Sequence, residues 1–113
     1  MNLDLLSLIE QRDLVKSREL SASDLATACH QQIERLNPTL NAFITVIPPS
    51  QEEMQANGSM PLFGIPIAVK DLYDTKGIRT TGGSKFFADN IPTEDAFVVQ
   101  KIKKAGAQIT GKT

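Results

Sequence analysis

The chain has 113 residues, the length of one ordinary domain, with 41% hydrophobic and 22% charged residues, the balance of a globular protein with one core. A formal net charge of -1 gives no global attraction to nucleic acid or to an anionic membrane surface. The longest uninterrupted apolar stretch, residues 65–69, is far too short to span a bilayer. The first residues carry Asp4 and Glu10 and no positive cluster, unlike a secretory leader. A single cysteine, Cys29, excludes an internal disulfide and fits a reducing compartment, so the expected location is the cytoplasm.

In chain order, residues 3–16 place apolar side chains at 5, 6, 8, 9 and 14 among charges, which predicts a first helix. Ser21 followed three residues later by Asp24 starts a second. Leu25, Cys29, Ile33 and Leu36 recur at helical spacing, with Ala26 and Ala28 beside them. Asn37-Pro38 is expected to end it. Cys29 falls on the apolar stripe and reads as a small buried hydrophobe. His30, with no second ligand at metal-binding spacing, reads as a boundary residue.

Residues 40–47 are rich in β-branched and aromatic side chains and predict a strand, broken by Pro48-Pro49. Residues 51–56 suit a short helix, and Asn57-Gly58 a turn. Residues 65–69 then predict a strand buried on both faces, with Lys70 at its end. A lysine held close to apolar surroundings loses its proton more readily than one in water, because desolvation disfavours the ammonium. A neutral amine is a base, so Lys70 is a candidate catalytic residue, beside the commoner reading of a solvated lysine at a strand end. Residues 71–92 read as a long irregular connection with a short strand near 78–81, and long ordered connections often carry function.

A last helix is expected with Thr93 as its cap, Glu94 and Asp95 in its first turn and Val98, Val99, Ile102 and Ala105 as its buried stripe. Lys101, Lys103 and Lys104 complement its dipole, and Gly106 caps its end. A strand follows from Ala107. The run Gly106-Ala107-Gln108-Ile109-Thr110-Gly111-Lys112-Thr113 satisfies the phosphate-loop pattern. That loop needs a strand before it and a helix after it. Here a helix precedes it and a strand occupies its middle, so nucleotide binding ranks below the other readings.

Several of these segments together resemble the amidase signature enzymes, which include the A subunit of the glutamyl-tRNA amidotransferase. They are Leu36-Asn37-Pro38-Thr39-Leu40-Asn41-Ala42-Phe43-Ile44, then Pro61-Leu62-Phe63-Gly64-Ile65-Pro66-Ile67-Ala68-Val69-Lys70-Asp71, then Thr80-Thr81-Gly82-Gly83-Ser84-Lys85 and the terminal stretch from Asp95 to Thr113. The resemblance implies an α/β fold, a mixed sheet covered by helices, of which residues 1–113 form the N-terminal part of a single domain. It implies hydrolysis or transamidation of a carboxamide by a Ser–cis-Ser–Lys triad with Lys70 as the lysine. The family's Gly/Ser-rich segment, which carries both serines, lies downstream of Thr113, and the stretch from Ile47 to Pro61 is shorter than the family usually has. Ser84 matches a different family position and is expected to serve its loop. The resemblance further implies a small-molecule amide substrate, no cofactor and no metal, no direct contact with nucleic acid or membrane, and partner subunits if the parent is a transamidase. The chain by itself is expected to be inactive. The competing expectation is a non-catalytic folding or interaction module.

Overall fold

The computed structural model describes residues 2–50 and 60–113. The short helix and turn expected at 51–58 lie outside the described residues.

The chain opens with a single 3-10 turn at Leu3–Leu5, then α1 at Leu8–Ser17. The expected first helix is thus split in two. The cause is Ser7, whose hydroxyl accepts from the Glu10 amide at 3.3 Å while the Glu10 carboxylate accepts from the Ser7 amide at 2.7 Å. This reciprocal capping box starts a helix at Leu8 and stops anything before it from continuing in. Leu5, Leu8 and Ile9 of the expected stripe are exposed, and only Val15 of α1 is buried.

Helix α2 spans Ala22–Leu40, started as expected by Ser21, whose hydroxyl accepts from the Asp24 amide at 3.0 Å. It does not stop at Asn37. Pro38 sits inside the last turn, and Asn41 ends the helix in the left-handed region. Asn37 instead clamps the exit: its side chain accepts from the Phe43 amide at 2.8 Å and donates to the Phe43 carbonyl at 3.2 Å. Leu25, Ala26 and Ile33 are buried, Cys29 and Ala28 half-buried, and Leu36 exposed. Burial pushes the Cys29 thiol above its ordinary range, with Asp4 adding to the effect.

Three strands follow: β1 at Thr45–Val46, β2 at Pro66–Val69 and β3 at Gln108–Lys112. The strand expected over 40–47 shrinks to two residues because Leu40 belongs to α2. The sheet order is β1-β3-β2, with β3 antiparallel to β1 and parallel to β2. This is a mixed sheet with helices packed on it, the expected α/β class. Val15, Leu25 and Ile65 form a buried cluster, joined by Leu20, Leu62, Phe63 and Ile67. Gln108 stitches the same region, donating to the Ala22 carbonyl at 3.0 Å and to that of Gly64 at 3.1 Å.

No strand forms at 78–81. Thr80 is held instead by Asn90, its amide donating to the Asn90 carbonyl at 2.9 Å and its carbonyl accepting from Asn90 Nδ2 at 2.9 Å. Ser84 caps a short 3-10 turn at Lys85–Phe87, its hydroxyl accepting from the Phe86 amide at 3.1 Å.

Helix α3 spans Phe97–Lys104 and begins after Ala96, with no side-chain cap. Thr93, Glu94 and Asp95 therefore precede it. Asp95 is diverted: its carboxylate accepts from the Lys76 amide at 2.7 Å and from Lys103 Nζ at 2.8 Å. The far end of α3 is a Schellman motif, in which Gly106 donates to Lys103 and Ala107 to Ile102, with Gly106 at φ +90°.

Two outcomes follow from these contacts. A Cβ added at Gly111 would fall onto the Thr45 carbonyl oxygen and within 2.8 Å of the Phe43 ring. Gly111→Ala is expected to cost about 1–3 kcal/mol, read as a lower urea midpoint with an unchanged slope. Asp95 is the second case. Its hydrogen bond from Lys103 holds its carboxyl below the usual aspartate range. Its contribution is therefore complete above the unfolded-state value of about 3.9 and is lost as pH falls through the lower folded value. In Asp95→Asn the acid limb of stability against pH flattens below about pH 4, measurable by thermal melts across that range.

Candidate active site

The site is built where β2 and β3 end side by side. In open α/β sheets ligands bind beyond the carboxyl ends of parallel strands, and Lys70 stands at that end of β2. The ladder runs past it on both sides. Thr113 donates to the Val69 carbonyl at 3.0 Å, and the Asp71 amide donates to the Thr113 carbonyl at 2.7 Å.

Lys70 itself is exposed. Its neighbours Val69 and Asp71 are buried, at 4% and 3% exposure, and strand alternation therefore turns Lys70 to the opposite face. Ala68 on that face is exposed too. The expectation of a strand covered on both faces is corrected accordingly: the described residues cover one face and leave the Ala68–Lys70 face open. Among them no hydrogen bond or ion pair engages the Lys70 ammonium.

The dry lysine is a different one. Lys112 has 0% exposure, and its placement comes from a fault in the ladder. Pro66 and Ile67 pair with Gln108 and Ile109, but Ala68 and Val69 pair with Gly111 and Lys112. Thr110 is left over. A one-residue slip exchanges the faces of everything beyond it. Lys112 thereby lands beside Val69, on the face where Asp71 points inward, instead of beside Lys70.

Its ammonium donates to the Tyr73 carbonyl, Thr75 Oγ1 and Thr80 Oγ1, each at 2.8 Å. Both hydroxyls are already spending their hydrogens, Thr75 on the Tyr73 carbonyl at 3.1 Å and Thr80 on the Ile78 carbonyl at 3.0 Å. Towards Lys112 they act as acceptors. Three acceptors around one nitrogen require three N–H groups, which only the ammonium has. Burial pushes Lys112 below the ordinary lysine value, while the carboxylates of Asp71 and Asp74 hold it up. The hydrogen-bond geometry assigns the outcome: Lys112 is charged.

Asp71 balances that charge, with Oδ1 3.9 Å from Lys112 Nζ. Its other oxygen accepts from the Thr81 amide at 3.0 Å and from the Thr81 hydroxyl. Oδ1 has no hydrogen-bond partner among the described residues, so the pair is held by charge rather than by contact. The phosphate-loop pattern is thereby disposed of. Its glycine ends α3, its middle is β3, and its lysine has no free N–H.

Sequence reasoning singled out Lys70 and did not anticipate the buried arrangement of Lys112, Asp71 and the three threonines. The available signal was weak: an aspartate just past one buried strand and a lysine inside the next. Ser84 lies in a 3-10 cap, as expected of a loop residue. His30 is a boundary residue, with Nε2 3.4 Å from Glu34 Oε1. Among the described residues no cluster of His, Cys, Asp and Glu could hold a metal, and no helix is long and apolar enough to cross a membrane.

The family model for amidases matches residues 24–113. The A subunit of the glutamyl-tRNA(Gln) amidotransferase of Carboxydothermus hydrogenoformans is 41% identical over 122 residues, covering 100% of this chain and 25% of that protein. Its counterpart in Lawsonia intracellularis is 42% identical over 115 residues, covering 96% and 24%. Among solved structures, the A subunit of the Thermotoga maritima glutamyl-tRNA(Gln) amidotransferase superposes with a TM-score of 0.80 at 31% identity, covering 99% of this chain and 23% of that one. The peptide amidase of Stenotrophomonas maltophilia superposes with a TM-score of 0.87 at 27% identity, covering 99% and 25%. The chain spans about a quarter of the length of these relatives. With a family match over most of its length and the same arrangement of helices and sheet, this chain belongs to the amidase family.

Proposed function

We propose that this chain supplies the lysine of an amide-cleaving site, with Lys70 as the base of a Ser–cis-Ser–Lys relay. The observation that carries the reading is the division of labour between two lysines at neighbouring strand ends. Lys112 has all three N–H groups committed to acceptors and no access. Lys70 has an uncommitted side chain on an open face beyond the carboxyl end of β2. A proton relay needs the second kind.

In the relay, neutral Lys70 takes a proton from a bridging serine. That serine takes one from the nucleophilic serine, whose oxygen attacks the carboxamide carbon. The tetrahedral intermediate expels the amine, which recovers a proton through the same chain, and leaves an acyl-enzyme. Water then breaks the acyl–serine ester and frees the carboxylate; in hydrolysis the expelled ammonia is released, and in transamidation it is handed to a second acceptor. The two serines are to come from a Gly/Ser-rich segment packed on the Ala68–Lys70 face. That packing would exclude water from Lys70 and favour its neutral form. The kinship with a peptide amidase supports a carboxamide substrate, and that with a glutamyl-tRNA(Gln) amidotransferase supports partner subunits.

Residues 1–113 alone are expected to release no ammonia from glutamine or from a peptide carboxamide. The decisive experiment is a full-length amidase carrying residues 1–113 as its N-terminal quarter. Lys70→Ala in it should lower kcat by about 10³-fold or more with an unchanged melting temperature. A Lys70→Ala enzyme within tenfold of the parent would remove Lys70 from the mechanism, and a folded but inactive fusion would count against the family reading of this chain's function.

A further inference from the structure

Resting on the reading of Lys70 as the base, we infer that Lys112 and Asp71 are positioning residues for it. Together they form a buried ion pair that fixes how the chain leaves β2 and hence where the Lys70 side chain emerges.

Lys70 has no side-chain partner of its own among the described residues, so its direction is set by its backbone. That backbone is held from two sides. Its carbonyl accepts from the Tyr73 amide at 3.1 Å, closing a tight turn. The Tyr73 carbonyl in turn accepts from Lys112 Nζ at 2.8 Å. The same ammonium reaches Thr75 and Thr80, so one nitrogen gathers three points of the loop against the end of β3.

Asp71, the residue after Lys70, is pinned at almost every polar atom. Its amide donates to Thr113 at 2.7 Å and its carbonyl accepts from Gly82 at 2.7 Å. Oδ2 takes two bonds from Thr81, and Oδ1 faces the ammonium at 3.9 Å. Removing the cation would leave Asp71 as an uncompensated buried charge and take the ammonium from the Tyr73 carbonyl. The loop would lose its reason to lie where it does.

A base must be placed closely to act. A misplacement of about 1 Å costs on the order of 10²-fold in rate. Lys112 thus acts on the reaction through Lys70 without touching substrate.

Lys112→Met threatens the fold itself, so the threonines carry the test. In the full-length enzyme, Thr75→Val and Thr80→Val should each lower kcat about tenfold and move KM less than about twofold, because Lys70 serves the chemical step. Thr75→Ser keeps the acceptor and should return kcat to within about threefold of the parent. In the 113-residue chain, Thr75→Val should speed amide hydrogen exchange at Asp71, Tyr73 and Gly82 while leaving Ile47, on the β1 side, unchanged. This readout needs no activity. Parental kcat in both valine variants overturns the inference, as does unchanged exchange at those three amides. Losses of kcat and stability that Thr75→Ser does not recover also overturn it, since they mark a structural role alone. If Lys70→Ala abolishes activity while the valine variants keep it, only this inference falls; if Lys70→Ala is active, the reading of Lys70 falls first.

Discussion

A fully buried ammonium group sets the terms for the rest of this structure. Lys112 can lie at zero exposure only if three acceptors and a counter-charge are brought to it. The loop after β2 is arranged to bring them: Tyr73, Thr75 and Thr80 offer oxygens, and Asp71 offers its carboxylate. A stretch from residue 71 to 81 with no helix or strand of its own is thereby tied at three points to one side chain from the neighbouring strand, with Asn90 and Asp95 holding it from the far side. The ladder slip at Thr110 is the geometric condition for this, since an even register would place Lys112 beside Lys70 and away from Asp71. Gly111 is the steric condition, since any side chain there would collide with Thr45 and Phe43.

The same slip separates the chemistries of two lysines at neighbouring strand ends. Both lysines sit at strand ends on adjacent parallel strands, Lys70 after an apolar run and Lys112 after the mixed run Gln108-Ile109-Thr110-Gly111. Alternation sends Lys70 outward and the slip sends Lys112 inward. The inward one gains three hydrogen bonds and becomes a fixed positive charge. The outward one keeps its freedom, and that freedom is what proton transfer requires.

How much of this was legible in the sequence depended on whether a signal was local. Ser21, the stripe through Leu25 and Ile33, the strand before Lys70 and the Gly106 stop all express nearest-neighbour chemistry, and each appears where expected. The errors have physical causes of the same kind. Ser7 with Glu10 makes a complete capping box inside an apolar run, and it cut the first helix in two. Pro38 did not end α2: the helix runs on to Leu40, and Asn41 stops it by turning into the left-handed region. Asp95 lies ahead of α3, its carboxylate engaged by the Lys76 amide and the Lys103 ammonium instead of the helix end. The buried site was the least legible part. A slip of register leaves no local mark, so the face that Lys112 occupies follows only from the pairing of strands far apart in the chain.

That limit bears on the phosphate-loop pattern as well. Eight residues ending in Gly111-Lys112-Thr113 satisfy it, and composition offers no objection. The pattern is a statement about unspent donors: backbone amides and a lysine that face a phosphate. Here the donors are spent. The Thr113 amide pairs with Val69, the Gly106 and Ala107 amides close α3, and the Lys112 hydrogens are divided among three oxygens. A binding motif is therefore decided by where its hydrogens go, and a buried ion pair can claim them all. Such a pair adds little net stability over a well-packed apolar core. What it adds is direction, because a charge-assisted bond tolerates few geometries while an apolar contact tolerates many. On the proposed reading of Lys70 as a base, direction is the property that matters at this strand end.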